Sequence, residues 1–317
     1  MAKKTVVAHS HGNATLGKRI LDRWQLYLLL ILPLVWLITF CYVPMGGLVL
    51  AFKKYTAAKG IWGSPWVGVQ NFQKFFNSAK SSIVIQNTLL LSLYQLFISF
   101  PIPILFALLL NVLPGVKYKK VIQTVTYIPY FFSTVVMVSL LFQLLDYRIG
   151  LYGALYTTLS GGKVAPNVLA QGSNFRHIYV WSGVWQATGY QAIIYIAALS
   201  SADQSLHEAA MIDGASRFQR VLHIDIPTIL PTASIMLVLA VGNIMNVGYE
   251  KTLLMQNNLN LNYSEIISTY TYKVGLASGV PNFSLSTAIG MFNSVINFIL
   301  LVLANFTSKR LSGNGIF

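Results

Sequence analysis

The side chains placed to bind something in this chain are carboxamides and aromatic rings within apolar segments. Amides hydrogen-bond hydroxyl groups, and aromatic rings cover the apolar C–H face of a sugar ring. Polar residues inside a membrane are costly unless they face a partner or a watery cavity. Helical spacing groups Ser182, Gln186 and Tyr190, beside Trp185, then Asn243, Asn246 and Glu250, and then Asn293 and Asn297. These groups predict the lining of a passage for a polar solute, and hydrogen bonding between neighbouring helices is the alternative.

A second constellation is a short charged segment within otherwise apolar sequence. Ser205 stands three residues before Glu208, which matches a capping box and predicts that a short helix begins there. Gly214 is placed to end that helix in a left-handed turn, and Ser216 with Gln219 offers a second capping box. The pattern predicts a helix–turn–helix outside the bilayer with a shape suited to docking on another protein. A well-capped solvated loop is the alternative.

Long apolar helices must position these residues. Of the 317 residues, 55% are hydrophobic and 9% are charged, against about 25% charged in an average soluble domain. A helix needs about 20 mainly apolar residues to cross a bilayer core of roughly 30 Å, and six charge-free runs are long enough. We therefore predict an all-α integral membrane protein with six transmembrane helices. Their predicted bounds are 24–46, 84–112, 121–145, 178–200, 231–251 and 284–307.

Prolines and charges complete this outline. Pro129 is predicted to kink the third helix, a feature that membrane helices tolerate, and Pro227 with Pro231 marks entry into the fifth. The basic leader is predicted to precede a retained first helix rather than a cleaved signal. The net charge of +14 is scattered over short loops, which is typical of a membrane protein and argues against nucleic-acid binding.

Six crossings place both termini on one side of the membrane. Cytoplasmic termini put only slightly more than half of the basic residues inside, so the positive-inside rule favours that orientation weakly. The predicted parts are an N-terminal tail (1–23), a six-helix domain (24–307) with the charged loop 203–227 between helices 4 and 5, and a C-terminal tail (308–317).

Fixed spacing in the charged loop resembles the signature of one transporter family. That signature reads Glu-Ala-Ala, three residues, Gly, nine residues, Ile, one residue, an aliphatic residue and Pro. The corresponding residues here are Glu208, Ala209, Ala210, Gly214, Ile224, Ile226 and Pro227, and Asp213 matches the commoner form of the motif. The chain resembles the permease subunits of bacterial ABC importers, with Ile226 where leucine is usual.

The resemblance implies an orientation and a set of partners. In that family this loop forms a coupling helix that inserts into a cleft of the ATPase subunit, so the motif residues are implied to couple ATP hydrolysis to transport. The loop and both termini are then cytoplasmic, in a bacterial inner membrane. The implied partners are a second homologous permease subunit, two ABC ATPase subunits, an extracytoplasmic solute-binding protein and membrane lipid. This chain is implied to hold no cofactor, because ATP and Mg²⁺ belong to the ATPases.

The sequence does not indicate an enzyme. Its histidines have no metal-ligand spacing, and no nucleophile–base pair is evident. The stretch "LSGGK" (159–163) differs by one residue from the ABC ATPase signature, but no glycine-rich loop ending in Gly-Lys-Ser or Gly-Lys-Thr is present in the sequence. We interpret it as a glycine turn. The energy for transport must then come from a partner subunit.

A second resemblance concerns the cargo. The stretches "WVGVQNFQKFF" (66–76) and "NTLLLSL" (87–93), with the ending "LANFTSKRLSG", are similar to permeases of the maltose-type and oligosaccharide branch. This implies import of an oligosaccharide, such as a polysaccharide fragment, by alternating access. The alternatives are an ABC importer for a non-sugar solute, a secondary transporter and a non-transporting membrane sensor. A secondary transporter usually has internal repeats and buried coupling charges, which the sequence does not display.

Overall fold

The computed structural model describes residues 24–312, with side chains to residue 310. Within these residues the predicted all-helical class is confirmed, because the extended pairing is limited to an isolated bridge between Lys53 and Trp66. The predicted tail 1–23 and the end of the other predicted tail, 313–317, lie outside the described residues.

We number the principal helices α1 to α13 in chain order. Two of them change their winding along their length: α1 ends in the tight turns of Gly46–Phe52, and α10 contains the wide turn Val221–Asp225. The helices are α1 (Trp24–Phe52), α2 (Gln70–Phe76), α3 (Ala79–Ser99), α4 (Pro101–Val112), α5 (Val116–Tyr127), α6 (Thr134–Leu145), α7 (Leu151–Leu159), α8 (Phe175–Leu199), α9 (Gln204–Ile212), α10 (Arg217–Gly242), α11 (Tyr249–Met255), α12 (Ile267–Tyr272) and α13 (Phe283–Ser312).

Four helical segments have the length and apolar composition needed to cross a membrane. They are α1, α3 together with α4, α10, and α13 as far as Arg310. The pair α5 and α6 passes the same test together but is bent by 102°. With 25 residues, α8 is long enough to cross and lies close to the predicted bounds 178–200, but it is not among these segments. The helix predicted to end at 307 continues to Ser312.

The prediction of one kinked helix over 121–145 is wrong. The chain leaves α5 through a tight turn, Ile128–Phe131, and α6 starts in a new direction. Pro129 lies in that turn, where it removes a backbone donor and crowds the preceding turn. Ser133 then caps α6, since its hydroxyl accepts a hydrogen bond from the Val136 N–H at 3.3 Å.

The prediction of a helix over 231–251 is wrong at both ends, because α10 runs from Arg217 to Gly242. Gly242 lies against α13 so closely that a Cβ there would overlap Leu301. The chain then leaves the helix and runs irregularly to the start of α11. As a result, Asn243, Asn246 and Glu250 do not share one helix face as predicted.

The core surrounds α8, which takes part in two of the buried clusters. Near its start, Tyr179 and Val180 pack with Leu91 of α3. Near its end, Tyr195 packs with Ile229 of α10. A further cluster joins α13 to α2 and α3, so α8 and α13 position the other helices.

The first helix stands apart from this bundle over most of its length. Its residues from Trp24 to Met45 include no buried side chain. Its last turns contact α13, and there Ala51 is fully buried. Asn71 of α2 fixes that end by donating from its amide to the carbonyl of Ala51 at 2.8 Å. Most of α1 therefore presents an apolar surface to its surroundings.

Candidate functional site

The predicted short helix of the charged loop is present as α9. Its N-cap is Asp203, whose carboxylate accepts a hydrogen bond from the Ser205 N–H at 2.9 Å. The same hydrogen bond lowers the pKa of Asp203 from its ordinary value. The predicted capping box of Ser205 with Glu208 is therefore wrong, because an aspartate just upstream takes the capping role.

The turn after α9 agrees with the sequence-based expectation. Gly214 has φ of +78°, the left-handed conformation that ends a helix. The Ala215 N–H then donates to the Ala210 carbonyl at 2.8 Å. The predicted second capping box is confirmed: the Ser216 N–H donates to the Gln219 side chain at 2.7 Å, and the Gln219 N–H donates to the Ser216 hydroxyl at 3.3 Å. These hydrogen bonds join α9 to α10 through a short ordered turn.

The residues of the loop motif divide into an exposed and a half-buried group. Glu208, Ala209, Asp213 and Gly214 are exposed, whereas Ala210 is half-buried. In the second part of the motif, Ile224 and Ile226 are half-buried within α10, and Pro227 is exposed in the first turn of its regular part, Ile226–Gly242. The first part of the motif is accessible to a partner, and the second anchors the loop to the bundle.

Large apolar side chains are also exposed in this loop. Leu206, Met211 and Ile212 of α9 expose 55%, 51% and 87% of their surface, and Phe218 in the first turn of α10 exposes 74%. Grouped apolar exposure beside polar residues is typical of a protein contact surface. The geometry therefore favours a docking segment over a plain solvated loop.

A buried carboxylate under α9 is a residue that sequence reasoning missed. Asp225 is 2% exposed and lies in the wide turn of α10. Its Oδ1 lies 3.1 Å from the Asn111 amide of α4 and 3.4 Å from His207 Nε2 of α9. A lone acidic residue between two apolar ones, Ile224 and Ile226, was the signal that could have identified it.

A cavity of about 750 Å³ lies between α3, α4, α8 and α10, and the chain that follows α10 closes one side. Its lining includes the predicted residues Tyr190, Asn243 and Asn246. Gln95, Tyr130 and Gln191 add further polar groups that the sequence analysis did not single out. The described lining residues are uncharged, so this surface offers hydrogen bonds and ring faces to a solute.

The predicted asparagines of two different segments meet beside this cavity. Asn246 accepts hydrogen bonds from the amides of Asn293, at 3.0 Å, and Asn297, at 3.1 Å. Asn297 in turn accepts from the Met245 N–H at 3.0 Å. Both α13 residues therefore hold the irregular chain after α10 in place. Asn297 is 8% exposed, so little of its side chain is open to a solute.

Two tyrosines from distant parts of the sequence form another side of the cavity. Tyr130, in the turn that breaks α5 from α6, stacks on Tyr190 of α8. Sequence reasoning missed Tyr130 because aromatic rings are common in apolar spans. The adjacent Pro129 was a local sign of irregular backbone in this position.

Three predicted pathway residues lie elsewhere. Trp185 lines a separate groove of about 450 Å³ with Trp181 and apolar residues of α6. Gln186 donates from its amide to the Phe132 carbonyl at 3.2 Å. Glu250 is exposed in the first turn of α11. None of the three lines the 750 Å³ cavity.

An ion-pair cluster ties α3 to the segment before α12. Glu265 is 4% exposed and accepts from Lys80 at 2.7 Å and from Lys273 at 3.2 Å. Burial raises the pKa of the Glu265 carboxyl, but hydrogen bonds from the two lysines outweigh it and leave the pKa below its ordinary value. The ionised carboxylate is thus the form that this cluster stabilises.

These features define a helical membrane protein with a polar cavity between its long helices and a capped, exposed loop between two of them. The chain belongs to the family described as "Binding-protein-dependent transport system inner membrane component", whose model matches residues 86–313. The resemblance to permease subunits of ABC importers is thereby confirmed. Members of this family are inner-membrane permease components rather than enzymes.

Two bacterial relatives match almost the whole chain. "Protein LplB" of Bacillus subtilis (strain 168) is 39% identical over 296 residues, which are 93% of this chain and 92% of the relative. The "Polygalacturonan/rhamnogalacturonan transport system permease protein YteP" of the same organism is 38% identical over 299 residues, 94% of this chain and 92% of the relative.

A solved structure has the same fold along nearly the whole chain. It is a bacterial alginate ABC transporter in complex with an alginate pentasaccharide-bound periplasmic protein. Its matching chain is 34% identical with a TM-score of 0.87, and the match covers 96% of this chain and 100% of that chain. The similarity therefore extends well beyond the motif in the loop.

Proposed function

We propose that this chain is the permease subunit of an ATP-driven importer for an oligosaccharide. In this proposal, six crossings are made by α1, by α3 with α4, by the bent pair α5 and α6, by α8, by α10 and by α13. The six-helix domain is 24–307, and residues 1–23 and 308–317 lie on the cytoplasmic side. The loop 203–227 lies in the cytoplasm between the fourth and fifth crossings.

The single observation that carries the proposal is the pairing of two sites in one bundle. An uncharged polar cavity of about 750 Å³ lies between the helices, and an exposed segment with capped helices connects α8 to α10. Passage of a solute through the membrane requires such a cavity, and coupling to a separate ATPase subunit requires such an exposed segment.

The partners follow from the exposed loop and from the family. Two ABC ATPase subunits bind ATP and Mg²⁺, and each receives one coupling helix, which is α9 in this chain. Its exposed residues Leu206, Met211 and Ile212 supply apolar contact area for the ATPase cleft. A second homologous permease subunit completes the passage. The alginate complex, which contains an alginate pentasaccharide-bound periplasmic protein, supports a solute-binding protein as the external partner.

The lining of the cavity favours a carbohydrate cargo. Gln95, Gln191 and Asn243 offer carboxamides, which match sugar hydroxyls as both donors and acceptors. Asn246 offers its amide N–H groups, because its oxygen already accepts from Asn293 and Asn297. The outer faces of the stacked tyrosines offer apolar surface for C–H groups. YteP is named for transport of polygalacturonan and rhamnogalacturonan, which agrees with a polysaccharide fragment. Binding relies on several moderate contacts, as a transport site requires release as well as capture.

Transport then follows alternating access driven by the ATPases. Closure of the ATPases on ATP displaces α9, and the short turn at Gly214 and Ser216 passes that movement to α10 because its hydrogen bonds leave little freedom. Since α10 packs on α8 and α13, its movement alters the walls of the cavity. The cavity opens outward to receive sugar and inward after hydrolysis.

The experiment that tests this function is uptake of labelled oligosaccharide into liposomes that contain the assembled complex. We expect uptake to require enclosed ATP and the binding protein, and to persist when ionophores remove ion gradients. Uptake that fails without an ion gradient but proceeds without ATP would identify a secondary transporter. A complex that binds its partners but never moves solute would identify a sensor.

A further inference from the structure

The buried carboxylate of Asp225 lies where the loop meets the bundle. It is 2% exposed and occupies the wide turn Val221–Asp225 of α10. Wide turns of this kind inside helices occur frequently at functional sites. Burying a carboxylate is costly unless hydrogen bonds or charges compensate it. The residues that contact this carboxylate therefore indicate its structural role.

Those partners come from two other helices, and a further contact reaches a third. Oδ1 of Asp225 lies 3.1 Å from the Asn111 amide at the end of α4 and 3.4 Å from His207 Nε2 of α9. Lys119 of α5 donates to the Asn111 carbonyl at 2.9 Å. One connected set of polar contacts thus joins α4, α5, α9 and α10.

Apart from the chain that joins it to α8 and to α10, the helix α9 has little attachment to the bundle. None of its residues is buried, and His207 and Ala210 are its half-buried ones. A cavity of about 570 Å³ separates α9 from the ends of α4 and α5, and His207, Asp225 and Asn111 all line it. The contact of His207 with Asp225 therefore bridges a gap that side-chain packing leaves open.

We propose that Asp225 is a positioning residue that transmits displacement of α9 to α4 and α10. This inference rests on the proposed function, since it requires that α9 is moved by an ATPase. When His207 is pulled or pushed, the carboxylate moves with it, and Asn111 carries the movement to α4. Without this contact, only the turn at Gly214 and Ser216 passes the movement of α9 to α10, and α4 no longer follows, so the bundle responds incompletely.

The test measures sugar taken up per ATP hydrolysed by the full complex in liposomes. His207→Leu removes the polar group that faces Asp225 at similar volume, and His207→Gln keeps a polar group in its place. His223→Ala is the matched control, because His223 is exposed in the same loop and contacts the Gln219 carbonyl of its own helix. Co-purification of the ATPases shows that each variant complex is assembled.

We expect His207→Leu to lower uptake per ATP roughly 2- to 30-fold, the usual range for residues that carry coupling. His207→Gln should restore most of it, and His223→Ala should match the unaltered protein. Asp225→Asn should lower the ratio as well, and combining it with His207→Leu should add little, because both changes remove the same contact.

An unaltered ratio in assembled His207→Leu complexes, or full additivity of the two changes, would overturn the inference while the proposed function stands. If the unaltered complex takes up sugar without ATP, the proposed function fails and the inference fails with it.

Discussion

The rings of Tyr130 and Tyr190 stack face to face, with centroids 3.8 Å apart and planes 4° from parallel. Tyr130 belongs to the turn between α5 and α6, and Tyr190 belongs to the central helix α8. The stack therefore fixes the break in the bent pair against the core at the edge of the cavity. Both rings are about two-fifths exposed, at 41% and 42%, so each also offers surface to a solute.

This stack gives the first prediction. Tyr190→Ala removes the ring–ring contact and one ring face, so we expect the KM for sugar uptake to rise roughly 2- to 12-fold, which corresponds to about 0.5–1.5 kcal/mol for an aromatic pair. Tyr190→Phe keeps both rings and should stay close to the unaltered protein. Tyr118→Ala removes an exposed tyrosine that does not line the cavity and serves as the control. A larger loss in the control would contradict a role for the stack.

The turn at Gly214 gives the second prediction. Its φ of +78° costs an L-residue roughly 1–2 kcal/mol, so Gly214→Ala should distort the end of α9 and reduce sugar-stimulated ATP hydrolysis severalfold. Gly214→Asn should retain more activity, since asparagine tolerates this conformation better. Gly279→Ala is the matched control, because Gly279 lies in open space without a positive φ. Equal losses of ATP hydrolysis in the Gly214→Ala and Gly279→Ala variants would show that the left-handed conformation of Gly214 is not the cause.

The asparagine cluster gives the third prediction. Asn297→Ala leaves the buried Met245 N–H without its acceptor, which costs roughly 1–3 kcal/mol, and it removes one donor from Asn246. We expect lower thermal stability in detergent and a higher KM for uptake. Asn297→Asp keeps an acceptor for Met245 but buries a carboxylate against the Asn246 oxygen, so it should lose at least as much stability as Asn297→Ala. Ser294→Ala, an exposed site on the same helix, should change neither quantity.

The Glu265 cluster gives a prediction for pH. Because its folded-state pKa is lowered, the ionised carboxylate stabilises the protein above its unfolded pKa, and this contribution is lost as the pH falls through the folded value. Glu265→Gln should therefore lower the melting temperature at pH 7. Its effect should become smaller as the pH falls below the pKa that this carboxyl has in the unfolded chain. Glu250→Gln, at an exposed carboxylate, is the control. A Glu265→Gln effect that is the same at all pH values would contradict this account.

The charged loop could be predicted from the sequence because its signals are local. Ser216 and Gln219 stand at capping-box spacing, and Gly214 occurs where a helix must end, so each interaction depends on neighbours within a few residues. The start of α9 was placed wrongly because two nearby residues, Asp203 and Ser205, can both cap a helix, and only the folded geometry decides between them.

The helix boundaries within the apolar segments were harder to predict, because an apolar run gives no sign of where the chain changes direction. The run around Pro129 remains apolar through a bend of 102°, and the run through Gly242 continues after the helix has ended. Helical spacing therefore placed Asn243 and Asn246 on a helix that stops before them. Their convergence with Asn293 could still be anticipated, since polar side chains in apolar segments tend to meet one another.

Long-range pairs were not predictable from spacing. The contacts of Asp225 with Asn111 and His207 join three segments that are separated in the sequence. No periodicity relates them, and only the folded arrangement of α4, α9 and α10 brings them together. The same reason applies to the stack of Tyr130 on Tyr190.

The most direct test of the central claim is ATP hydrolysis by the reconstituted complex with its binding protein, across plant, algal and microbial oligosaccharides and non-sugar solutes. Our account predicts stimulation by one class of oligosaccharide, and loss of that stimulation when Glu208→Lys reverses the charge on the exposed face of α9. Stimulation by a non-sugar solute alone would contradict the carbohydrate cargo. Hydrolysis that is the same with and without this permease would contradict its role as the coupled subunit.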